Sequence, residues 1–173
     1  MKVILLTGDL ASYKTTLAKR LRDELNIPAL IKDDLKETLF GAFEHVTDTT
    51  HAQLSSVTFE LMMALAPTYQ SKAILLEGNF KPHEVTALKT AFPNALWFFV
   101  TAQEAVRYER YLAREPSRHQ AHQRYGTLSK EAFKRANREA LEHMHVIDTT
   151  TYDETMYKNL KNTIDAYLTE GNE

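Results

Sequence analysis

Residues 3–16 read Val-Ile-Leu-Leu-Thr-Gly-Asp-Leu-Ala-Ser-Tyr-Lys-Thr-Thr. The run Val3–Thr7 is short and continuously apolar, the pattern of a strand covered on both faces. From Thr15 onward Leu17, Ala18, Leu21 and Leu25 fall on one helical face, with Lys19, Arg22 and Asp23 elsewhere. A strand therefore runs through a loop into a helix. Against the pattern G-x-x-x-x-G-K-[ST], every fixed position of Gly8–Thr16 matches except the second glycine, which is Tyr13. A loop wrapped on a helix end aims successive backbone N–H groups at an anion, and the helix dipole favours its charge. Gly8, Asp9, Leu10, Ala11, Ser12, Tyr13, Lys14, Thr15 and Thr16 are thus expected to cradle the phosphates of Mg-ATP. Lys14 would reach the β and γ phosphates, the Thr15 hydroxyl would ligate Mg²⁺, and Thr16 would bond the α phosphate.

Tyr13 keeps its backbone N–H, so the cradle loses no donor. The expected cost is conformational. A glycine at that position often has positive φ, and holding a bulky residue there costs about 1–3 kcal/mol. The ring must also point away from the phosphates. If strain were its main effect, Tyr13→Gly would bind ATP more tightly.

The same alternation continues along the chain. Strands are expected at 29–31, 73–76, 95–100 and 145–147, and helices near 34–43, 47–70, 82–91, 102–114, 129–142 and 152–168. Residues 115–127 read as a polar loop. Five strands separated by helices imply an α/β fold of three layers, α/β/α, around a five-stranded parallel sheet. With 173 residues and no linker or repeat, the expectation is one domain over 1–173, carrying a short lid at about 115–127. The chain is 43% hydrophobic and 25% charged and lacks cysteine, which excludes disulfides, thiolate zinc sites and cysteine nucleophiles. No apolar run suffices to span a bilayer, so a cytoplasmic protein with no membrane partner is expected.

Ligands of open parallel sheets bind beyond the carboxyl ends of the strands. The second strand ends in Lys32-Asp33-Asp34, and Asp33 is placed to take the proton of an attacking hydroxyl, with Asp34 free to cap the following helix. The third ends in Glu77-Gly78-Asn79. Glu77 would hold Mg²⁺ through water or orient the acceptor, and Gly78 would let the backbone approach the substrate. The acceptor itself would lie between Asp33, the helices around Phe40–Phe59, and Asn79-Phe80. Net charge is −2, yet residues 107–138 hold nine lysines and arginines against three acids. Arg107, Arg110, Arg114 and Arg118 recur at spacings of three and four, and the first three are expected to converge on one helix face. Such a row suits a focused anion contact and stabilisation of a transferring phosphoryl group. It leaves nucleic-acid binding possible but not favoured. No N-K-x-D guanine-recognition motif is present.

Taken together, Gly8–Thr16, Ile31-Lys-Asp-Asp-Leu-Lys36, Leu75-Leu-Glu-Gly78, the arginines of 107–118 and Val146-Ile-Asp-Thr-Thr150 give a pattern that resembles the small P-loop kinases of the nucleoside-monophosphate-kinase-like type. Polynucleotide kinase, chloramphenicol phosphotransferase, gluconate kinase and the zeta toxins are its nearest look-alikes. The resemblance implies a kinase acting on a hydroxyl of a small molecule or nucleotide, with ATP and Mg²⁺. It matches Asp33 to the catalytic aspartate, and Arg110 and Arg114 to lid arginines that act with Lys14. Lys36 stands where several relatives carry a substrate-binding arginine, and Arg118 would also meet substrate. Asp148-Thr149-Thr150 would lie near the adenine, with Thr149 in contact. Two other readings stay open, a non-catalytic nucleotide sensor with a degenerate loop and a kinase of nucleic-acid ends.

Overall fold

The computed structural model describes residues 1–43, 47–122, 126–136 and 138–170. Its strands are β1 (Lys2–Gly8), β2 (Ala29–Ile31), β3 (Ala73–Glu77), β4 (Leu96–Thr101) and β5 (His145–Asp148). Its helices are α1 (Lys14–Leu25), α2 (Lys32–Phe40), α3 (Asp48–Leu65), α4 (Pro82–Ala91), α5 (Glu104–Arg114), α6 (Lys130–Arg135) and α7 (Glu154–Thr169). The strands form one sheet in the order β2-β3-β1-β4-β5, and every pairing is parallel.

Alternate side chains of a strand point to opposite faces, so a strand that reads apolar throughout requires cover on both. β1 meets that requirement. Ile4 and Leu6 pack with Leu17 and Leu21 of α1, Phe98 and Val100 of β4, and Tyr157, Leu160 and Ile164 of α7. Val3 and Leu5 pack on the other face with Phe59 and Met62 of α3, Leu88 of α4, and Trp97 and Phe99. Each fully buried large side chain contributes roughly 1.5–3 kcal/mol. The result is the three-layer α/β/α fold. Among the described residues no helix is long and apolar enough to cross a membrane.

The expected helix at 129–142 is cut short, since α6 ends at Arg135. Three residues later the backbone N–H of Arg138 donates to the buried carboxylate of Asp9 at 2.8 Å, a direction that continued helical bonding does not allow. The helix expected to reach residue 70 instead ends at Leu65 and finishes in a 3₁₀ turn, Ala66–Thr68. Pro67 lies in that turn and lacks the N–H a further α-helical bond would use. Helix α2 begins two residues earlier than expected, so that Asp33 and Asp34 lie in its first turn, where the helix dipole favours acids. In the expected lid, Glu115–Ser117 and Gln120–His122 form 3₁₀ turns. Its residues 123–125, Arg124 included, lie outside the described residues.

Parallel pairing brings all five carboxyl ends to one edge. Ile31 pairs with Glu77, Leu6 with Glu77, Gly8 with Val100, and Thr101 with Asp148. Along that edge lie, in spatial order, Asp33, Glu77, the Gly8–Thr16 loop, Thr101 and Thr149.

Candidate active site

Gly8 leaves β1 with φ 137, and a Cβ there would meet the Val100 carbonyl oxygen at 2.1 Å, so only glycine fits. The next N–H, of Asp9, donates to that same carbonyl at 3.0 Å. Two non-glycine residues of the loop are left-handed, Ala11 at φ 59 and Tyr13 at φ 63. Tyr13 is the residue immediately before α1 and provides no side-chain cap. The sequence pattern signals Tyr13, whereas nothing in it signals Ala11.

Asp9 has a role that the sequence reading did not assign. Its buried carboxylate accepts from the Thr101 hydroxyl at 2.7 Å and the Arg138 backbone N–H at 2.8 Å, and lies 3.7 Å from Arg107 Nη2. Arg107, also buried, donates from Nε to the Ala102 carbonyl at 2.9 Å. The pair anchors the base of the loop to β4 and α5. A buried carboxylate is stable only when bonded in this way.

Lys14 is buried, and its Nζ donates to the Asp9 carbonyl at 2.6 Å. An ammonium has two further hydrogens to offer. Burial pulls its pKa down, while Glu77, Asp33 and Asp9 pull it up and Arg114 adds to the fall. The Thr15 hydroxyl donates to Glu77 Oε2 at 3.2 Å. Burial raises the Glu77 carboxyl to about 7; Asp33 adds to the rise, against Lys14 and the Thr15 hydrogen bond. Thr15 and Glu77 thus present a hydroxyl and a carboxylate at one point beside the Lys14 ammonium, an all-oxygen set suited to a hard divalent cation. Thr16, one residue on, is exposed.

Asp33 is exposed, and its charge acts on Lys14, Lys36, Arg114, His122, Lys32 and Glu77. It stands just beyond the carboxyl end of β2, at the edge where the cleft opens over the loop. Lys36 is one turn along α2, and burial lowers its pKa, which Lys32, Arg118 and Lys81 lower further. Burial also lowers Arg114, with Arg118 adding to the fall. Among the described residues, no hydrogen bond or ion pair holds the Lys36 ammonium or the Arg114 guanidinium. Arg118 pairs with Glu115 at 3.1 Å, and both Arg114 and Arg118 lie against the Tyr111 ring, at 5.9 and 5.8 Å. The 3₁₀ turn at 120–122 reaches α2 through His122 Nε2 and Glu37 Oε1, 3.0 Å apart.

The arginines of α5 do not converge. Arg107 turns to Asp9, Arg114 lies against the Tyr111 ring, and Arg110 turns to the segment after β5. Steps of three and four residues leave them tens of degrees apart around the helix, and long side chains widen the difference. Arg110 donates to the carbonyls of Thr149 at 2.7 Å and Thr150 at 3.3 Å, and to the Thr149 hydroxyl at 3.3 Å. Its Cζ lies 4.0 Å from the centroid of the Tyr13 ring. A contact of this kind is worth about 0.5–2 kcal/mol, comparable with the strain of a left-handed tyrosine.

Asp34 does not cap α2 but pairs with Lys19 at 3.0 Å. Gly78 is explained by packing: a Cβ there would come within 3.0 Å of Lys32 Cβ and of the Phe80 ring. Asn79 accepts from Arg138 Nε at 3.3 Å. Beneath them lies a buried ion pair that periodicity does not reveal. Lys32 Nζ meets both Glu84 oxygens, at 2.6 and 2.7 Å.

A parallel sheet of this order, with a glycine-to-lysine loop after β1 and acids at the ends of β2 and β3, is the fold of the P-loop kinases of the nucleoside-monophosphate-kinase-like type. Among solved structures the chain is similar to a Chloroflexus aurantiacus protein assigned only provisionally as a kinase (TM-score 0.76, 20% identity, 96% of this chain and 97% of that one). It is also similar to a shikimate kinase from Bacteroides thetaiotaomicron (0.61, 13%, 95% and 98%) and to a gluconokinase from Sinorhizobium meliloti (0.55, 13%, 95% and 96%). By sequence it matches no family model and no curated protein. At these identities the likeness establishes the fold.

Proposed function

We propose that the protein is an ATP-dependent phosphotransferase acting on a hydroxyl of a small molecule or nucleotide. The observation that carries this reading is the meeting of Thr15 and Glu77 at the loop beside Lys14, with Asp33 beyond the end of β2 and its charge acting on both Lys14 and Glu77. The backbone donors of Gly8–Thr16 and the Lys14 ammonium bind the phosphates. Asp33, exposed and ringed by cations, accepts the proton of the attacking hydroxyl. Arg114, whose guanidinium lies against the Tyr111 ring and makes no hydrogen bond or ion pair among the described residues, offsets charge on the transferring group, and Lys36 and Arg118 position the acceptor beside Asp33. Thr15 and Glu77 would hold Mg²⁺, which when bound neutralises charge on the phosphate oxygens.

The fold's similarity to shikimate kinase and gluconokinase supports a small-molecule acceptor. The test is transfer from γ-labelled Mg-ATP to pooled hydroxyl metabolites, nucleotides and short oligonucleotides, with Lys14→Ala as control. Label on an acceptor, lost in Lys14→Ala, is expected. Clear ATP binding with no acceptor labelled would favour a nucleotide sensor, and labelled oligonucleotide ends would favour a nucleic-acid-end kinase.

A further inference from the structure

The strand order fixes a direction along the cleft. Asp33 follows β2, Glu77 ends β3, the loop follows β1, Thr101 ends β4, and Thr149 follows β5. Thr15 bonds Glu77 on the β3 side. A triphosphate whose terminal phosphorus faces Asp33 therefore points its tail toward β2. The nucleoside at its other end is left with the opposite direction, over β4 and β5.

On that side stands a group that the transfer chemistry does not require. The Arg110 guanidinium lies 4.0 Å from the centroid of the Tyr13 ring, and Tyr152 meets the same ring edge-on at 5.4 Å and 79°. Arg110 is held by the carbonyls of Thr149 and Thr150. The Thr149 hydroxyl donates to the Ser12 carbonyl at 3.0 Å, so this group and the phosphate loop form one network. Gly8, Asp9, Ala11, Ser12 and Lys14 are buried, whereas Tyr13 is 40% exposed. Its ring is thus only partly covered by Arg110 and Tyr152. A tyrosine at φ 63 is strained where glycine would not be, and the ring it carries is held in one place.

We propose that Tyr13 is a specificity-determining residue of the nucleotide site, forming with Arg110 an aromatic–guanidinium wall on which the base of the bound nucleoside triphosphate stacks. This rests on the reading of Gly8–Thr16 as a triphosphate loop. Every base offers a π-face to a ring or guanidinium plane, and the wider purine covers more of it. The wall therefore favours a nucleotide over bare polyphosphate and a purine over a pyrimidine.

Calorimetric titration of wild type, Tyr13→Phe, Tyr13→Gly and Lys14→Ala with Mg-ATP, Mg-CTP and Mg-tripolyphosphate tests it. Wild type is expected to prefer ATP over CTP and both over tripolyphosphate, and Tyr13→Phe to keep that order. Tyr13→Gly should lose about tenfold in ATP affinity, with tripolyphosphate changing by less than about twofold, which also shows that the variant is folded. ATP binding that is unchanged or tighter in Tyr13→Gly would overturn the proposal. So would equal weakening of ATP and tripolyphosphate, since the ring would then act on the loop and not on the base. If Lys14→Ala left all three ligands unaffected, the triphosphate-loop reading would fall and the wall with it.

Discussion

Asp33 is surrounded by charge of the opposite sign, with Lys14, Lys36 and Arg114 all within its field. Removing that charge separates binding from transfer. Asp33→Asn should lower kcat by roughly 10²–10⁴-fold and leave ATP affinity unchanged or slightly tighter, because a negative group near the terminal phosphate is gone. A large loss of ATP binding in that variant would assign Asp33 to the cradle instead. Glu77 carries a different prediction, in pH. Its ordinary value of 4.5 rises to about 7 through burial. Well below pH 4.5 the carboxyl is protonated in folded and unfolded chains alike and contributes no difference. Between 4.5 and about 7 only the unfolded chain gives up its proton, so folded stability falls as pH rises, and above about 7 the full cost remains. That cost is on the order of 3 kcal/mol. Denaturant melts of metal-free wild type and Glu77→Gln at pH 5 and pH 8 should show the stability difference shifting in favour of the glutamine variant at the higher pH. A difference independent of pH would contradict the raised carboxyl.

Between elements, the Lys32–Glu84 pair joins the start of α2, and with it Asp33, to the first turn of α4. Glu84 Oε2 also accepts the backbone N–H of Lys81 at 2.8 Å, and the Lys32 ammonium lies 5.4 and 5.8 Å from the rings of Phe59 and Phe80. Such a pair is costly to break and inexpensive to replace whole. Lys32→Met or Glu84→Leu alone should destabilise by about 3–5 kcal/mol, and the double variant should recover most of that loss. Additive losses in the double variant would show that the two side chains act separately. The sequence hides this pair because residues 52 positions apart leave no periodic trace, and a lysine before Asp33-Asp34 reads as part of a polar strand end. The same limit explains Asp9. Its neighbours mark it as a variable loop position, while its partners come from Thr101 and Arg138. The overrun of the helix expected at 129–142 has that origin too, since a contact with Asp9 turns a stretch that has no local stop signal. What local pattern does fix is recovered: continuous apolar runs mark β1, β3 and β4, and the Gly-to-Lys spacing marks the loop. The spread of Arg107, Arg110 and Arg114 was legible only as a row of charges, because direction depends on partners remote in the chain.

At the scale of the molecule, the candidate site draws on all five strand ends, so nucleotide binding at the proposed site would be coupled to folding throughout the fold. Gly8 and Asp9 fasten the loop to β4, Thr15 fastens it to β3, and Thr149 fastens it to the segment after β5. A ligand gripping Gly8–Thr16 therefore stabilises the sheet as a unit and not a detachable lobe. If the chain is one domain, thermal unfolding should be one cooperative transition. Mg-ATP at a hundredfold its dissociation constant adds about 2.7 kcal/mol, which for a chain of this size raises Tm by roughly 5–10 °C. Lys14→Ala, tested at the same concentration, should show little of that rise while unfolding in the same single step. The turns at 115–117 and 120–122 are held by side-chain contacts such as His122 with Glu37 and Glu115 with Thr127, not by sheet pairing, so they should exchange amide hydrogens faster than β1 and slow down when Mg-ATP and acceptor are both present. Protection of those turns equal to that of β1 without ligand would show that they belong to the rigid core and do not act as a lid.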